Sequence, residues 1–233
     1  MPTIVAALGG SLLRPEIEGR QTWLSDLTDM VKEIVSNGTH LGLVIGGGSP
    51  ARECINLAKP LIDDVISLDK IGIAATRLNA TIIREVLLGA GISTCYEIPH
   101  TIEDAVTLMD KFSVVLMGGT EPGQTTDTVA VKLAVATNSS KCIIATNVTK
   151  VYEEDPKNNI NARSYDTLTL DQLQEIVGPP EHSKAGISQV VDPIGVACAA
   201  VNKMTLNILD GRNMENIKNA IEEREFQGTV VSG

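Results

Sequence analysis

The sequence predicts an α/β fold: a three-layer αβα sandwich around a mostly parallel sheet. Unbroken runs of Val, Ile and Leu alternate with amphipathic stretches along the chain, and many of the runs end in glycine turns. Apolar runs of this length are typical of strands that are buried on both faces, as in a parallel sheet covered by helices. Strand, turn and helix repeat in that order, which favours a doubly wound arrangement.

The individual elements follow from the same pattern. Strands are predicted at residues 3–8, 41–45, 114–117, 141–145 and 204–209. Helices are predicted at residues 23–36, 50–58, 71–88, 126–137, 170–177 and 193–203. The helix at 170–177 carries Asp171 in its first turn, where a carboxylate complements the helix dipole. We interpret the polar residues 153–167 as a long surface loop. Because no linker or shift in composition divides the chain, residues 1–233 are expected to form one domain.

The composition argues against several classes of partner. The chain has 19 Lys and Arg against 29 Asp and Glu, a net charge of −10, and only 3% aromatic residues. Such a charge disfavours binding to nucleic acid or to an anionic membrane surface. A small phosphorylated ligand remains compatible, because it needs only a local nest of donors. No basic leader precedes an apolar run and no run is long enough to span a bilayer, so we expect a cytoplasmic protein.

The four cysteines do not suggest a metal site. Cys54, Cys95, Cys142 and Cys198 are too far apart in sequence to form a pair of metal ligands. The last three lie among apolar or small neighbours, which is typical of inert buried thiols. We therefore predict no metal ligands from the protein.

Three glycine turns carry the functional argument. They lie at residues 9–11, 46–52 and 118–127, each directly after a predicted strand, and are called here the first, second and third glycine turns. Glycine lets backbone N–H groups approach an anion closely, and a following helix N-terminus adds unsatisfied donors. Such turns collect at the carboxyl edge of a parallel sheet, where they can line one crevice. Neither the Walker nor the Rossmann spacing of glycines is present, which argues against a nicotinamide enzyme.

At these residues the sequence resembles the amino-acid-kinase superfamily, and within it the archaeal-type UMP kinases. The resemblance covers almost the whole chain, from residues 8–11 to residues 228–230. The glycine turns alone are shared with carbamate, acetylglutamate and aspartate kinases. The segment Asp-Lys-Ile-Gly-Ile at residues 69–73 and the third glycine turn are more specific and indicate the UMP kinase branch.

The resemblance implies an ATP-dependent UMP kinase that transfers the γ-phosphoryl group of ATP to UMP, giving UDP in pyrimidine nucleotide biosynthesis. It further implies Mg²⁺ as the cofactor and a homohexamer built as a trimer of dimers. Carried over by position, the implied ATP-binding residues are Gly10, Ser11, Gly48, Arg52, Thr146, Tyr152 and Asp155. The implied UMP-binding residues are Gly47, Asp69, Thr120, Glu121, Pro122, Gly123, Gln124, Thr125 and Thr126.

Arg52 is the implied catalytic residue. Phosphoryl transfer needs backbone donors, cations and a metal rather than a covalent nucleophile. The planar guanidinium can span oxygens of the donor and the acceptor phosphates. Its alternative role is that of a solvated side chain on the first turn of the helix. A cation there opposes the helix dipole, however, and this favours a bound anion nearby.

Several implied site residues also have purely structural interpretations. Thr is favoured in turns and at helix N-caps, and either Thr126 or Asp127 could cap the helix after the third glycine turn. Asp69 and Arg77 could form a surface pair, and Tyr152 could be a packing residue. The remaining candidates for acid–base chemistry are interpreted as turn or surface residues: His40, His100 and His182.

One departure from the family pattern concerns a cation. Bacterial members and several relatives place a lysine in the first strand, where this chain has Ala7. Some archaeal-type members also lack that lysine, so its absence does not exclude activity. Candidates for the cation that joins Arg52 are Arg14 and Lys184.

Two further departures fall in the nucleotide-binding loops. Thr149 and Lys150 stand where the family usually has Asp-Gly, and Thr-Lys is a less natural tight turn. Lys150 could approach the nucleotide. Glu121 and Gln124 stand where relatives often carry histidine, and Glu121 would place negative charge near a phosphate unless it faces solvent.

Three other functions remain as alternatives. A kinase of another small phosphate, such as isopentenyl phosphate, typically carries a histidine near the acceptor, and the matched clusters contain none. A carboxylate kinase fits the glycine turns in general, but it does not fit residues 120–126 of the third glycine turn, which are implied to bind the phosphate acceptor. A non-catalytic nucleotide-binding or storage protein is supported only by Ala7 and by the altered turn at residues 149–150.

Overall fold

The computed structural model describes residues 2–13, 20–154, 156, 159, 161–181 and 190–233. The strands in these residues are Thr3–Leu8 (β1), His40–Ile45 (β2), Val114–Met117 (β3), Cys142–Thr146 (β4), Val151–Tyr152 (β5), Ser164–Tyr165 (β6), Thr167–Thr169 (β7), Leu206–Asp210 (β8) and Gly228–Ser232 (β9). The helices are Gly10–Leu13 (α1), Arg20–Ser36 (α2), Gly48–Ala58 (α3), Val65–Gly89 (α4), Ile102–Met109 (α5), Thr126–Ala136 (α6), Leu170–Val177 (α7), Pro193–Asn202 (α8) and Met214–Ile221 (α9).

The sheet is parallel at its centre and mixed at one edge. Within the described residues, seven strands pair in the order β3-β2-β1-β4-β8-β9-β7. The first five of these are mutually parallel. Strand β9 pairs antiparallel with β8, and β7 pairs parallel with β9. The predicted mostly parallel sheet is therefore confirmed, and β5 and β6 form a separate small hairpin.

Two apolar cores lie on opposite faces of the sheet, and strand β1 shows how they are divided. Its residues Ile4, Ala6 and Leu8 pack on one face with buried side chains of α2, α4 and α9. Val5 and Ala7 pack on the other face with buried side chains of α5, α6, α7 and α8. Alternate side chains of one strand thus enter different cores, which explains its unbroken apolar sequence. The three-layer αβα prediction is confirmed.

Several predicted boundaries need correction. Helix α4 begins at Val65 rather than at residue 71, because the Asp64 carboxylate caps the amides of Ile66 and Ser67. Residues 153–167, predicted as one loop, contain β6 and the first residue of β7. The helices α5 and α9 were not predicted, although each begins with a side-chain N-cap, Thr101 and Asn213.

The cysteines behave largely as expected. Cys95 and Cys142 are buried, Cys198 is half-buried, and Cys54 is exposed. Burial raises the pKa of the Cys142 and Cys198 thiols, which keeps them protonated and unreactive. Across the described ranges, no helix combines the length and the apolar character that crossing a membrane requires.

Candidate active site at the carboxyl edge of the sheet

The first and second glycine turns meet through their backbones. The amide of Gly46 donates to the carbonyl of Leu8 (2.8 Å) at the carboxyl ends of β1 and β2. A Cβ atom on Gly10 would lie 2.3 Å from the amide nitrogen of Gly48 and 2.4 Å from the carbonyl oxygen of Gly46. Gly48 itself has φ +61, in the left-handed region. The two turns therefore approach so closely that only glycine fits at these positions.

The N-terminus of α3 opens from the second glycine turn. Its N-cap is Gly47, which has no side chain to accept from the first-turn amides. Those amides and the helix dipole together favour an anion at this end of the helix. Ser11, predicted on the ATP side, lies half-buried in the neighbouring α1.

Arg52 lies two residues further into α3 than predicted. Because the helix begins at Gly48, Arg52 is on its second turn, where its side chain is exposed. Within the part of the chain that the structure describes, the guanidinium has no hydrogen bond or ion pair. Its donors are therefore available to a ligand at the adjacent glycine turns.

Two carboxylates hold the third glycine turn from opposite sides. The Asp69 carboxylate on α4 accepts the amide of Gly123 (2.8 Å). The Asp192 carboxylate at the N-terminus of α8 accepts the hydroxyls of Thr125 (2.8 Å) and Thr128 (2.6 Å). Asp69, implied to bind the UMP ribose, thus also positions the loop, and the Thr125 hydroxyl is used within the protein.

Helix α4 also contacts the beginning of the third glycine turn. The Thr76 hydroxyl accepts the amide of Gly119 (2.7 Å) and donates to the carbonyl of Ile73 (2.6 Å). A Cβ atom on Gly118 would lie 2.6 Å from the Thr76 hydroxyl oxygen. The turn therefore rests directly on α4.

A chain of polar side chains crosses the third glycine turn. Lys132 on α6 donates to the amide oxygen of Gln124 (2.9 Å), and the Gln124 amide nitrogen donates to the Glu121 carboxylate (2.9 Å). Glu121 is exposed, which is the arrangement that would keep its negative charge toward solvent, whereas Gln124 is half-buried. Lys132 is therefore linked through Gln124 to Glu121, the acidic residue that departs from the family pattern.

The N-terminus of α6 differs from the prediction. The N-cap is Thr125, and its hydroxyl donates to Asp192 instead of accepting a helix amide. The prediction that Thr126 or Asp127 caps this helix is therefore wrong. Burial, and then the neighbouring Asp192 carboxylate, raise the pKa of Asp127 to about 7. A carboxyl group that is half-protonated near neutral pH thus lies at the start of α6.

The implied nucleoside-binding residues lie beyond the end of β4. Thr146 is its last residue, and its carbonyl accepts the amide of Gly211 (2.8 Å). The half-buried Tyr152 shares a hydrogen bond with the Thr149 hydroxyl (2.8 Å). Lys150, which could approach the nucleotide, forms an ion pair with Asp166.

Some predicted residues lie outside the described ranges. These are Asp155, implied for ATP, the candidate cations Arg14 and Lys184, and His182. Ala7, the position of the missing lysine, is 2% exposed within the core beside α6.

Asp69 and Arg77 serve different neighbours. Asp69 contacts the third glycine turn, whereas Arg77 donates to the carbonyls of Ile98 and Pro99 and contacts the His100 ring. Burial lowers the pKa of Arg77. Arg77 thus ties α4 to the loop before α5.

Four residues shape this edge of the sheet although sequence reasoning assigned them no role. They are Thr76, Asn79, Lys132 and Asp192. Buried Thr76 and Asn79 interrupt an otherwise apolar stripe of α4, and this polarity was a signal that could have found them. In the described ranges no group of three or more His, Cys, Asp or Glu residues could hold a metal ion.

Comparisons with known proteins match this architecture. A model of the amino acid kinase family matches residues 2–210. The uridylate kinase of Methanospirillum hungatei is 35% identical over 234 aligned residues, covering 100% of this chain and 95% of that protein. The crystal structure of uridylate kinase from Archaeoglobus fulgidus superposes with a TM-score of 0.84 at 34% identity, with 100% of both chains covered. A UMP kinase structure from Bacillus anthracis, at 22% identity and a TM-score of 0.79, shares the fold.

Proposed function

We propose that this chain, which belongs to the amino acid kinase family, is an ATP-dependent UMP kinase that transfers the γ-phosphoryl group of ATP to UMP. The observation that carries the proposal is the full-length similarity to archaeal uridylate kinases, both in sequence and in structure. The glycine turns at one edge of the sheet support it, because they offer backbone donors for two phosphorylated ligands.

The donor side is assigned to the first two glycine turns and α3. Backbone amides near Gly10 and Gly48 and the N-terminus of α3 are proposed to bind the ATP phosphates, and the close packing of the two turns supports this. Arg52 contacts the transferred group and stabilises the charge that spreads over its oxygens in the transition state. Ser11, Thr146, Tyr152 and Asp155 complete the proposed ATP site.

The acceptor side is assigned to the third glycine turn, residues 120–126, together with Gly47 and Asp69. Asp69 already accepts the amide of Gly123, and this supports its placement beside a ribose bound under the loop. The turn is held by Asp69, Thr76 and Asp192, so it is organised before UMP arrives.

Mg²⁺ is proposed to enter with ATP. When bound, the ion neutralises charge on the phosphates. The described residues fit a metal carried by its substrate, because backbone amides line the first two glycine turns and, within the described ranges, no group of three or more His, Cys, Asp or Glu residues could hold a metal ion. The two carboxyl groups that face this edge from α6 and α8 are Asp127 and Asp192.

The alternatives have less support. A kinase of isopentenyl phosphate would typically carry a histidine near the acceptor, and the third glycine turn contains none. A nucleotide-binding protein without catalysis would explain Ala7, but it would not require the exposed Arg52, which makes no ion pair among the described residues.

Assembly into a homohexamer, a trimer of dimers, forms part of the proposal. An exposed apolar strip on α3, on α4 and on the loop between them supports association between copies: Leu57, Leu61, Val65 and Ile66, which are 49–89% exposed. Partners other than ATP, UMP and further copies of the chain are not expected, and the location is proposed to be cytoplasmic.

The proposal is tested by following ADP release with Mg-ATP and a panel of acceptors. The panel is UMP, CMP, dTMP, isopentenyl phosphate and carbamate, with a reaction lacking acceptor as the control. We expect UMP to give the strongest signal and UDP to be its product. A higher rate with another acceptor would reassign the substrate. Nucleotide binding without turnover on any acceptor would favour the non-catalytic alternative.

A further inference from the structure

We infer that Asn79 is a positioning residue that orients the donors for both nucleotides at once, through its hold on the second glycine turn. Asn79 lies on α4 and is 0% exposed, and its side-chain amide nitrogen donates within the protein. Its amide nitrogen donates to two consecutive carbonyls, those of Gly46 (2.8 Å) and Gly47 (3.1 Å). This inference rests on the proposed function.

The geometry of the peptide bond transmits this hold. In a trans peptide, the carbonyl and the N–H of the following residue point in opposite directions. Because Asn79 holds the carbonyls of Gly46 and Gly47, the N–H groups of Gly47 and Gly48 point away from α4. Gly47 is assigned to UMP and Gly48 to ATP, so one side chain fixes a donor for each nucleotide.

Apart from the Gly46 amide, which donates to the Leu8 carbonyl, the turn has little else that keeps this orientation. Glycines lack side chains that would restrict φ and ψ, and Gly48 adopts φ +61. Gly10 packs against the turn, but it too has no side chain. Two hydrogen bonds from one buried amide therefore supply a restraint that the local sequence cannot.

The other amide atom of Asn79 supports a role beyond stability. Its Oδ1 is buried and has no hydrogen-bond partner in the part of the chain that the structure describes. The two carbonyls require the nitrogen to face the turn, which leaves the oxygen unsatisfied on the other side. A residue serving the packing of α4 alone would be better replaced by an apolar side chain.

The same face of α4 also contacts the third glycine turn. Thr76 precedes Asn79 by three residues and accepts the amide of Gly119. Asp69 precedes Thr76 by seven residues, two helical turns, and accepts the amide of Gly123. Residues at these spacings share one side of a helix. Helix α4 therefore sets the second and third glycine turns relative to each other, with Asn79 as its contact to the second.

The test compares Asn79→Asp with Thr81→Val. Aspartate keeps the shape of the side chain but turns an oxygen toward the two carbonyls, so the hold is lost. Thr81 donates only to the Arg77 carbonyl within α4 and serves as the control. For Asn79→Asp we expect kcat to fall at least tenfold and the KM values for ATP and UMP to rise together, each at least threefold. Thr81→Val should change none of the three constants by more than twofold.

A purely structural role would lower the melting temperature and leave the kinetic constants of the folded protein unchanged. That result overturns the inference, and so does a rise in only one of the two KM values. If Asn79→Asp is insoluble, Asn79→Ser replaces it, since the serine hydroxyl ends one bond short of the amide nitrogen, so both hydrogen bonds are lost and the same changes in kcat and KM are expected. Insolubility of both variants assigns Asn79 to folding and also overturns the inference.

Failure of the proposed function would be visible separately, because the wild-type protein would then form no UDP. In that case Mg-ADP affinity is measured by calorimetry. At least tenfold weaker binding by Asn79→Asp, with Thr81→Val unchanged, supports the positioning role, and equal affinities contradict it.

Discussion

The two sides of the candidate active site are built by different means. The donor side is formed mainly by backbone packing: Gly10 lies directly on the second glycine turn, at distances that exclude any Cβ atom, and Asn79 is its side-chain support. The acceptor side is formed by a loop that distant side chains hold in place, namely Asp69, Thr76 and Asp192. Backbone contacts leave a glycine pattern in the sequence, whereas side-chain supports leave almost none.

The largest expected effect comes from breaking the backbone contact. In Gly10→Ala the new Cβ would overlap the Gly46–Gly48 backbone, so the two turns must separate and the donor amides move apart. We expect kcat/KM for ATP to fall about a hundredfold or more, by analogy with the loss of a transition-state donor. Steady-state kinetics measures this.

Gly89→Ala is the matched control, because nothing lies within 4 Å of its added Cβ. That variant should keep wild-type kinetics and a similar melting temperature. Equal kinetics for the two variants would contradict the close packing of the donor side.

The next effect concerns the charge on the donor side. Arg52→Ala removes an exposed guanidinium that makes no ion pair among the described residues, so stability should not change. Turnover should fall well over tenfold, because charge on the transferred group is no longer neutralised. Steady-state kinetics and thermal denaturation are measured together, with the exposed Lys59→Ala as control. Unchanged turnover would remove Arg52 from the mechanism.

The acceptor side is also expected to make the free energy of unfolding depend on pH, through Asp127 at the start of α6. Its pKa is about 7 in the folded protein against 3.8 ordinarily, so the folded state favours the protonated form. The stability that it contributes is therefore present at low pH and is lost as pH rises from about 4 through 7. Relative to Asp127→Asn, the wild-type free energy of unfolding should fall between pH 5 and pH 8, by up to about 3 kcal/mol.

Urea denaturation of both proteins at the two pH values measures this difference. Parallel pH dependence in wild type and Asp127→Asn would show that the carboxyl titrates normally. The comparison isolates Asp127, since all other titrating groups are common to the two proteins.

The smallest effect is expected in the polar chain across the third glycine turn. Lys132→Gln removes the cation that orients Gln124 and lies near Glu121. A surface-type interaction of this kind contributes roughly 1 kcal/mol, so the KM for UMP should rise about two- to fivefold with the KM for ATP unchanged. Initial-rate kinetics with each nucleotide varied in turn distinguishes this from a general loss, which a parallel rise in both KM values would indicate.

How much of the fold and of the site could be predicted from the sequence follows the same division between backbone contacts and side-chain supports. The central strands and the three-layer arrangement could be predicted, because strands such as β1 are buried on both faces and read as unbroken apolar runs. The glycine turns could be predicted because their geometry admits little else. The role of Asp192 could not, since it reaches Thr125 across 67 residues of chain. The eight-residue helix α9 was missed, whereas α7, of the same length and with Asp171 in its first turn, was predicted.

The position of β1 in the sheet has a consequence for synthesis of the chain. β1 pairs on one side with β2 but on the other with Cys142–Thr146, more than a hundred residues later. At translation rates of about 5–20 residues per second, that edge stays open for roughly 7–27 s. An unpaired apolar strand is a template for association with other chains. The nascent N-terminal half is therefore the stage at which this protein depends most on protection from aggregation.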